Sequence, residues 1–409
     1  MDRQDPLAKY RNAFHIPKDS EGNEWLYFTG NSLGLQPKST ELAIKQELDD
    51  WANLGVEGHF EAKNPWMPYH ELLAKNMAKI VGAKPIEVVV MNTLTANLHF
   101  LMVSFYNPTP KRCKILIESD AFPSDRYAVQ TQLEFHGYDA KECLIEWTPR
   151  EGETLLRMED LEQILENQGD EIALLLIGGV NYYTGQYLDL KRIATLGHAK
   201  GCKVGIDLAH GAGNIEPNLH DSGVDFAAWC TYKYLNSGPG SLGGVFVHER
   251  HAHDETLKRF AGWWSQNKAT RFDMRQPLDI TPGAEGWQLS NPTILSMAAI
   301  KASLELFSEV GMTALRQKSV KLTAYLEFLI NELNHPQINI ITPKDPNRRG
   351  CQLSIQVNNA DRSLHRQLTE NHVITDWREP DVIRCAPVPF YNSFDDIYKM
   401  VEILKTLLP

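Results

Sequence analysis

KVGIDLAH (203–210) and FAAWCTYKYLNSGPGSLGGVFVH (226–248) decide the fold. The first is a short apolar run ending in an acid and a histidine, and its weak polar alternation reads as a strand buried on both faces. KILIES (114–119), IALLLIGGV (172–180) and GGVFVH (243–248) read the same way. Helical patterns separate them. MEDLEQIL (158–165) sets Leu161 and Leu165 on one face, and LKRIATLGHAKG (190–201) ends in a glycine suited to a helix C-terminus. Strand, helix and strand at this spacing imply right-handed crossovers, so the expected class is α/β with a large, mostly parallel sheet.

The ends of the chain have another texture. STELAIKQELDDWANL (39–54) opens on a Ser/Thr cap and carries Ile44, Leu48 and Trp51 at helical spacing. From Pro292 to about residue 334 the pattern is helical, with a break expected near Gly311. INIIT (338–342) and CQLSIQV (351–357) alternate, as strands with one wet face do, around the loop TPKDPNRRG (342–350). The expected organisation is a large domain over 55–294 and a smaller α+β domain made of 1–54 plus 295–409.

Composition sets limits. The 409 residues are 43% hydrophobic and 23% charged, an ordinary globular balance. With 41 Lys and Arg against 52 Asp and Glu, the net charge of −11 repels phosphate and argues against nucleic-acid or anionic-membrane partners. The six cysteines, at 113, 143, 202, 230, 351 and 385, show no C-x-x-C spacing, so no metal site and six reduced thiols are expected. MDRQDPLAKYRNAFHI lacks an apolar signal core, and no run approaches the ~20 apolar residues of a membrane span. A soluble, cytoplasmic protein is expected.

In parallel α/β sheets, ligands gather beyond the carboxyl ends of the strands. Asp207 and His210 stand there, and burying an acid is costly unless it meets a cation or a donor. Lys233 follows between Tyr232 and Tyr234, ahead of a glycine-rich run. Schiff-base chemistry needs a lysine that loses its proton readily, which an apolar, aromatic setting favours. A strand-end acid and such a lysine suit pyridoxal phosphate, whose pyridine nitrogen an acid keeps protonated. From order alone, a capping or ion-paired Asp207 and a surface-turn Lys233 remain open.

The stretch from Asp207 to His251 resembles the cofactor-lysine region of the kynureninase family, pyridoxal phosphate enzymes of fold type I related to class V aminotransferases. GNSLGLQPK (30–38), GHFEAKNPW (58–66), FPSDRYA (122–128), YYTGQ (182–186), SNP (290–292) and IRCAPVPFYNSFDD (383–396) resemble it too, in one order across nearly the whole chain. The resemblance implies that Lys233 carries the cofactor, that Asp207 pairs with its ring nitrogen and that His210 lines the same end. Phe122 would stack on the ring, with Pro123, Ser124 and Asp125 beside it. Leu94 and Thr95 would hold the phosphate, reached also by Tyr232, Trp263 and Asn291, part of the set coming from a partner subunit in a homodimer. Lys233, Tyr232 and Asp207 would form the catalytic group. Arg384 would grip the substrate carboxylate, while Ser32, His59 and Asn291 contact the rest of the substrate. Where some members carry Ser before GV ahead of YYTGQ, this chain has Gly178, so a contact there would run through backbone.

The reaction implied is hydrolysis of the Cβ–Cγ bond of L-kynurenine, or of its 3-hydroxy derivative, to anthranilate or 3-hydroxyanthranilate and L-alanine, in tryptophan catabolism or NAD biosynthesis. Two rivals share the fold. A cysteine desulfurase or selenocysteine lyase needs a nucleophilic cysteine on a mobile loop. Cys351 invites that comparison, but RRGCQLSIQV places it at the start of an apolar strand, where a buried thiol is expected. A non-catalytic cofactor-binding protein would keep the fold without the Lys, Asp, Tyr and Arg that are all present here.

Overall fold

The computed structural model describes residues 1–274 and 277–408. Near the N-terminus, β1 (Leu26–Tyr27) is the first strand. The apolar runs then build a central sheet from β2 (Val88–Met91), β3 (Lys114–Glu118), β4 (Leu144–Trp147), β5 (Ile172–Gly178), β6 (Lys203–Asp207), β7 (Phe226–Cys230) and β8 (Gly243–Val247). Their order is β2-β8-β7-β6-β5-β3-β4. β7, β6, β5, β3 and β4 pair in parallel, while β8 runs antiparallel to both neighbours. The mostly parallel sheet is therefore as the sequence predicts. It is buried because helices cover it: Leu161 and Leu165 of the helix Met158–Gln168 are buried, as is Ile193 of the helix Leu190–Ala199. Gly201 follows the latter at φ 75°, a left-handed turn that suits glycine.

β3 and β5 are neighbours, but the chain leaves them in opposite directions, β3 toward the edge strand β4 and β5 toward β6. Such a point opens a crevice beyond the strand ends. Glu118, Gly178 and Asp207 are the last residues of β3, β5 and β6, so the topology carries them to that crevice.

The helices Ile294–Val310 and Met312–Glu332 are separated at Gly311, as expected. Beyond them β9 (Ile338–Ile340), β10 (Leu353–Val357), β12 (Asp376–Arg378) and β13 (Val382–Cys385) form an antiparallel sheet in the order β12-β13-β10-β9. β11 (Val373–Ile374) pairs with β1 in parallel as a separate two-stranded sheet, tying the N-terminal segment to the later part of the chain. Among the described residues no helix is long and apolar enough to cross a membrane.

The first long helix corrects one expectation. It spans Ser39–Leu54, but Lys38 is its N-cap and no side chain caps it, so Ser39 and Thr40 lie inside the helix. Of its apolar stripe, Ile44 packs against the core, while Leu48 is 42% and Trp51 62% exposed. Glu47 is buried instead, accepting hydrogen bonds from Trp66 Nε1 and Tyr69 Oη at 3.0 Å and from Asn64 Nδ2 at 2.9 Å. Three donors offset the desolvation of that carboxylate, and they set which face packs inward.

Candidate active site

A cavity of about 190 Å³ opens at the crevice, lined by Thr93, Leu94, Thr95, Glu118, Phe122, Ser124, Asp125, Gly178, Val180, Tyr182, Asp207, Ala209, His210, Tyr232 and Lys233. It thus gathers nine sequence-predicted residues: Leu94, Thr95, Phe122, Ser124, Asp125, Asp207, His210, Tyr232 and Lys233. A larger surface cleft of about 980 Å³ runs past residues 152–159 and 186–192. Two ion pairs line it, Arg157 with Glu153 and Arg192 with Glu162, and it holds no comparable convergence.

Lys233 sits in the turn after β7, its Nζ 3.0 Å from His210 Nε2 and 5.7 Å from the centroid of the Phe122 ring. Burial and then the Lys233 charge pull His210 well below its usual value, so its ring is neutral and Nε2 can accept from the ammonium. Phe122 is 41% exposed and stands edge-on to Tyr182, with centroids 5.4 Å apart, leaving an open ring at the cavity.

Three acids share the floor. Asp207 Oδ1 accepts from the Ala209 amide at 2.6 Å. Burial, the charge of Asp207 and a hydrogen bond to it push Asp125 well above the carboxylate range. Glu118 receives the Gly178 amide at 3.0 Å on both oxygens, yet burial still pushes it up to about 7. A Cβ at Gly178 would fall 2.4 Å from Glu118 Oε1, so the departure at 178 is a steric consequence of the acid beneath it.

At the other end two helix N-termini meet. The helices Leu94–Phe105 and Pro123–Phe135 have no side chain capping their first turns. Pro123 occupies a first-turn position that suits its fixed φ and missing N–H. Thr95 Oγ1 and Ser124 Oγ lie 2.7 Å apart between these ends. Free amides, helix dipoles and two hydroxyls make an anion cradle. Asp125 Oδ1 and His210 Nδ1 are buried without hydrogen-bond partners. The site therefore suits a flat, polar ligand with an anionic end.

The remaining expected residues are not brought to this cavity. Arg384 is buried behind Tyr182, its guanidinium 5.9 Å from that ring. It is ion-paired with Asp376 and donates to the Tyr182 carbonyl at 2.6 Å, while its Nε is unpartnered. His59 Nδ1 lies 2.9 Å from the Val56 carbonyl, and Trp263 donates to the Arg271 carbonyl at 3.2 Å. Ser32 and Asn291 are exposed. Sequence reasoning missed Glu118, Thr93 and Tyr182 as lining residues. The signal that found Asp207, an acid closing an apolar run, is equally present in KILIES.

Comparison with known proteins gives the family and the fold. Residues 315–404 match the family described as the kynureninase C-terminal domain. A kynureninase of Myxococcus xanthus is 56% identical over 405 residues, covering 99% of this chain and 95% of its own. That of Mus musculus is 48% identical over 428 residues, covering 100% and 92%. Among solved structures, the cystine C–S lyase C-DES with its product cysteine persulfide has a TM-score of 0.80 at 18% identity, covering 94% of this chain and 98% of its own. A cysteine desulfurase from Escherichia coli has a TM-score of 0.79 at 16% identity, covering 98% of each chain. These two share the fold alone, the α/β fold of pyridoxal phosphate enzymes. Identity near one half along the full length goes further: the chain belongs to the kynureninase family.

Proposed function

We propose that this cavity binds pyridoxal phosphate and hydrolyses the side chain of L-kynurenine to anthranilate and L-alanine. One observation carries the assignment of the site: a lysine amine, a strand-end acid and an uncapped pair of helix N-termini converge on one cavity. The buried, unpartnered Asp125 Oδ1 and His210 Nδ1 support the fit of a polar ring. Thr95, Ser124 and the amides from Leu94 onward would hold the phosphate, Phe122 would stack on the ring, and Asp207 would accept the pyridinium N–H. The cofactor supplies an electron sink for bonds broken at the amino acid's Cα and Cβ.

The protein's part is orientation and proton handling. Lys233 Nζ would remove the substrate's Cα proton. Neutral His210, 3.0 Å away, can accept a hydrogen bond from that amine and so hold it at the ring. Burial and the nearby Cys230 raise Tyr232, which keeps its phenol protonated and able to donate. Arg384 would grip the substrate carboxylate, for which its fork has to exchange Asp376 and the Tyr182 carbonyl for the ligand. Ser32, His59, Trp263 and Asn291 would act across a subunit boundary. Their position outside this chain's own cavity supports a homodimer, as do the exposed Leu42, Trp51 and Phe60. A cytoplasmic location and the division into 55–294 against 1–54 plus 295–409 belong to the same reading.

The desulfurase alternative finds no nucleophile. Cys351 is buried, its amide donates to Asn214, and burial pushes its thiol up to about 12. The test is purified protein with L-kynurenine, followed by anthranilate fluorescence with alanine quantified beside it. Equal release of both products supports the proposal, and absence of both from cofactor-loaded protein would refute it.

A further inference from the structure

At the opposite end of β3 from the cavity, Cys113 and Cys143 stand with their sulfurs 3.3 Å apart. They immediately precede β3 and β4, which pair in parallel with Ile115 opposite Leu144. That register sets Cys113 one residue out of step with Cys143, a diagonal of about 6 Å at the usual strand spacing and rise, and a disulfide spans Cα atoms about 4.4–6.8 Å apart. We infer that Cys113 and Cys143 form a site of reversible oxidation, at which a small disulfide such as glutathione disulfide converts the two thiols to a cross-link.

Four features favour this pair over the other four cysteines. The sulfurs are already in contact, so the bond of about 2.05 Å needs them to close by only roughly 1.3 Å. Cys113 is half-buried, whereas Cys143, Cys202, Cys230, Cys351 and Cys385 are buried, so Cys113 is the point of entry. It lies in the run KRCK (111–114), where Lys114 is ion-paired with Glu171 and Arg112 donates to the Ile172 carbonyl, leaving Lys111 as the cation for an anionic oxidant. Burial, with Cys113 adjoining, pushes the Cys143 thiol up to about 11, which suits a second thiol reacting only with its neighbour.

The chemistry balances. Cys113 sulfur attacks one sulfur of the small disulfide and releases one small thiol. Cys143 sulfur then attacks Cys113 sulfur and releases the second. The pair loses two electrons and two protons, and the small disulfide takes them up. The product would staple the edge strand β4 to β3, with Glu118 and the cavity about 17 Å away along the strand. The inference does not rest on the proposed catalytic function.

The test uses native full-length protein with excess glutathione disulfide, quenched by alkylation and mapped by peptide mass spectrometry. The expected result is a fall in free thiols from six to four, a single cross-link joining residues 113 and 143, and reversal by dithiothreitol. Cys143→Ser should stop at one glutathione on Cys113. Retention of all six thiols, a mixed disulfide that persists in the wild type, or a cross-link elsewhere would overturn it. The wild-type peptide map decides the matter even if the serine variant fails to fold.

Discussion

Asp225 and the trio Glu118, Asp125 and Asp207 are buried acids at opposite ends of the central sheet's parallel strands, and they are supplied with partners very differently. Asp225, just before β7, receives the Val204 amide at 2.8 Å, has His198 Nε2 and His251 Nε2 at 2.8 Å, and pairs with Arg250 at 2.9 Å. Burial works to raise it, yet the two histidines and the charges of Lys203 and Arg250 hold it well below the carboxylate range. The trio has three acids around Lys233, with Asp125 and Glu118 raised and an orphaned oxygen on Asp125. A buried acid that is saturated holds the fold, while one left short of donors waits for a ligand that brings them.

Substitutions can break that contrast. The largest effect is expected from Lys233→Ala, which should lose about 10⁴-fold in turnover, together with borohydride-trappable cofactor and its visible absorbance, while the unfolding midpoint of the cofactor-free protein is unchanged. A retained trappable cofactor would mean another lysine anchors it. Asp225→Ala should do the reverse. Leaving His198, His251 and Arg250 without their acid should cost about 3–5 kcal/mol of stability in urea unfolding, with cofactor content per folded molecule unchanged. Because Asp225 is lowered, its contribution is present at neutral pH and fades as pH falls below the ordinary carboxylate range; the alanine variant should lose that acid-side dependence.

Arg384→Ala should cost about 2–4 kcal/mol in kcat/KM, roughly 30- to 1,000-fold, with Arg384→Lys losing roughly 10-fold because the fork is gone. Unchanged cofactor absorbance in both is part of the expectation. Near-normal efficiency of the alanine variant would reduce Arg384 to the partner of Asp376. Glu118→Gln should have the smallest effect and sharpen the comparison most. The folded-state value of Glu118 lies above its ordinary 4.5, at about 7, so its stabilising effect is full at low pH and disappears as pH rises through about 7. In cofactor-free protein the variant should flatten the fall in stability between pH 5 and 8 by up to about 3 kcal/mol. An unchanged slope would show that Glu118 is ionised throughout.

The strand ends were legible because chemistry and topology coincide there. An acid or lysine closing an apolar run must lie at the rim of a buried sheet, which is how Asp207 and Lys233 could be placed without coordinates. Glu118 obeys the same rule in KILIES, but no spacing joined it to the others until the crossing order set β3 beside β5. Helix orientation was less accessible. Ile44, Leu48 and Trp51 define a stripe by period alone, and period does not say which side has a neighbour. Only the three donors around Glu47 settle that. Ser32, His59, Trp263 and Asn291 were named through family resemblance, and nothing local in their segments fixes their distance from Lys233.

The pairing of β1 with β11 imposes an order on biosynthesis. Leu26 and Tyr27 leave the ribosome about 350 residues ahead of Val373 and Ile374, roughly 20–70 s earlier at the usual ~5–20 residues per second. Through that interval Phe28, completely buried in the finished molecule among residues of the later sheet, has no partner to cover it. The central sheet can assemble while the chain is still growing, but the N-terminal segment has to wait for release. The nascent chain thus carries an apolar lead that is closed last, and slow translation of the C-terminal third would lengthen its exposure to chaperones and to other nascent chains.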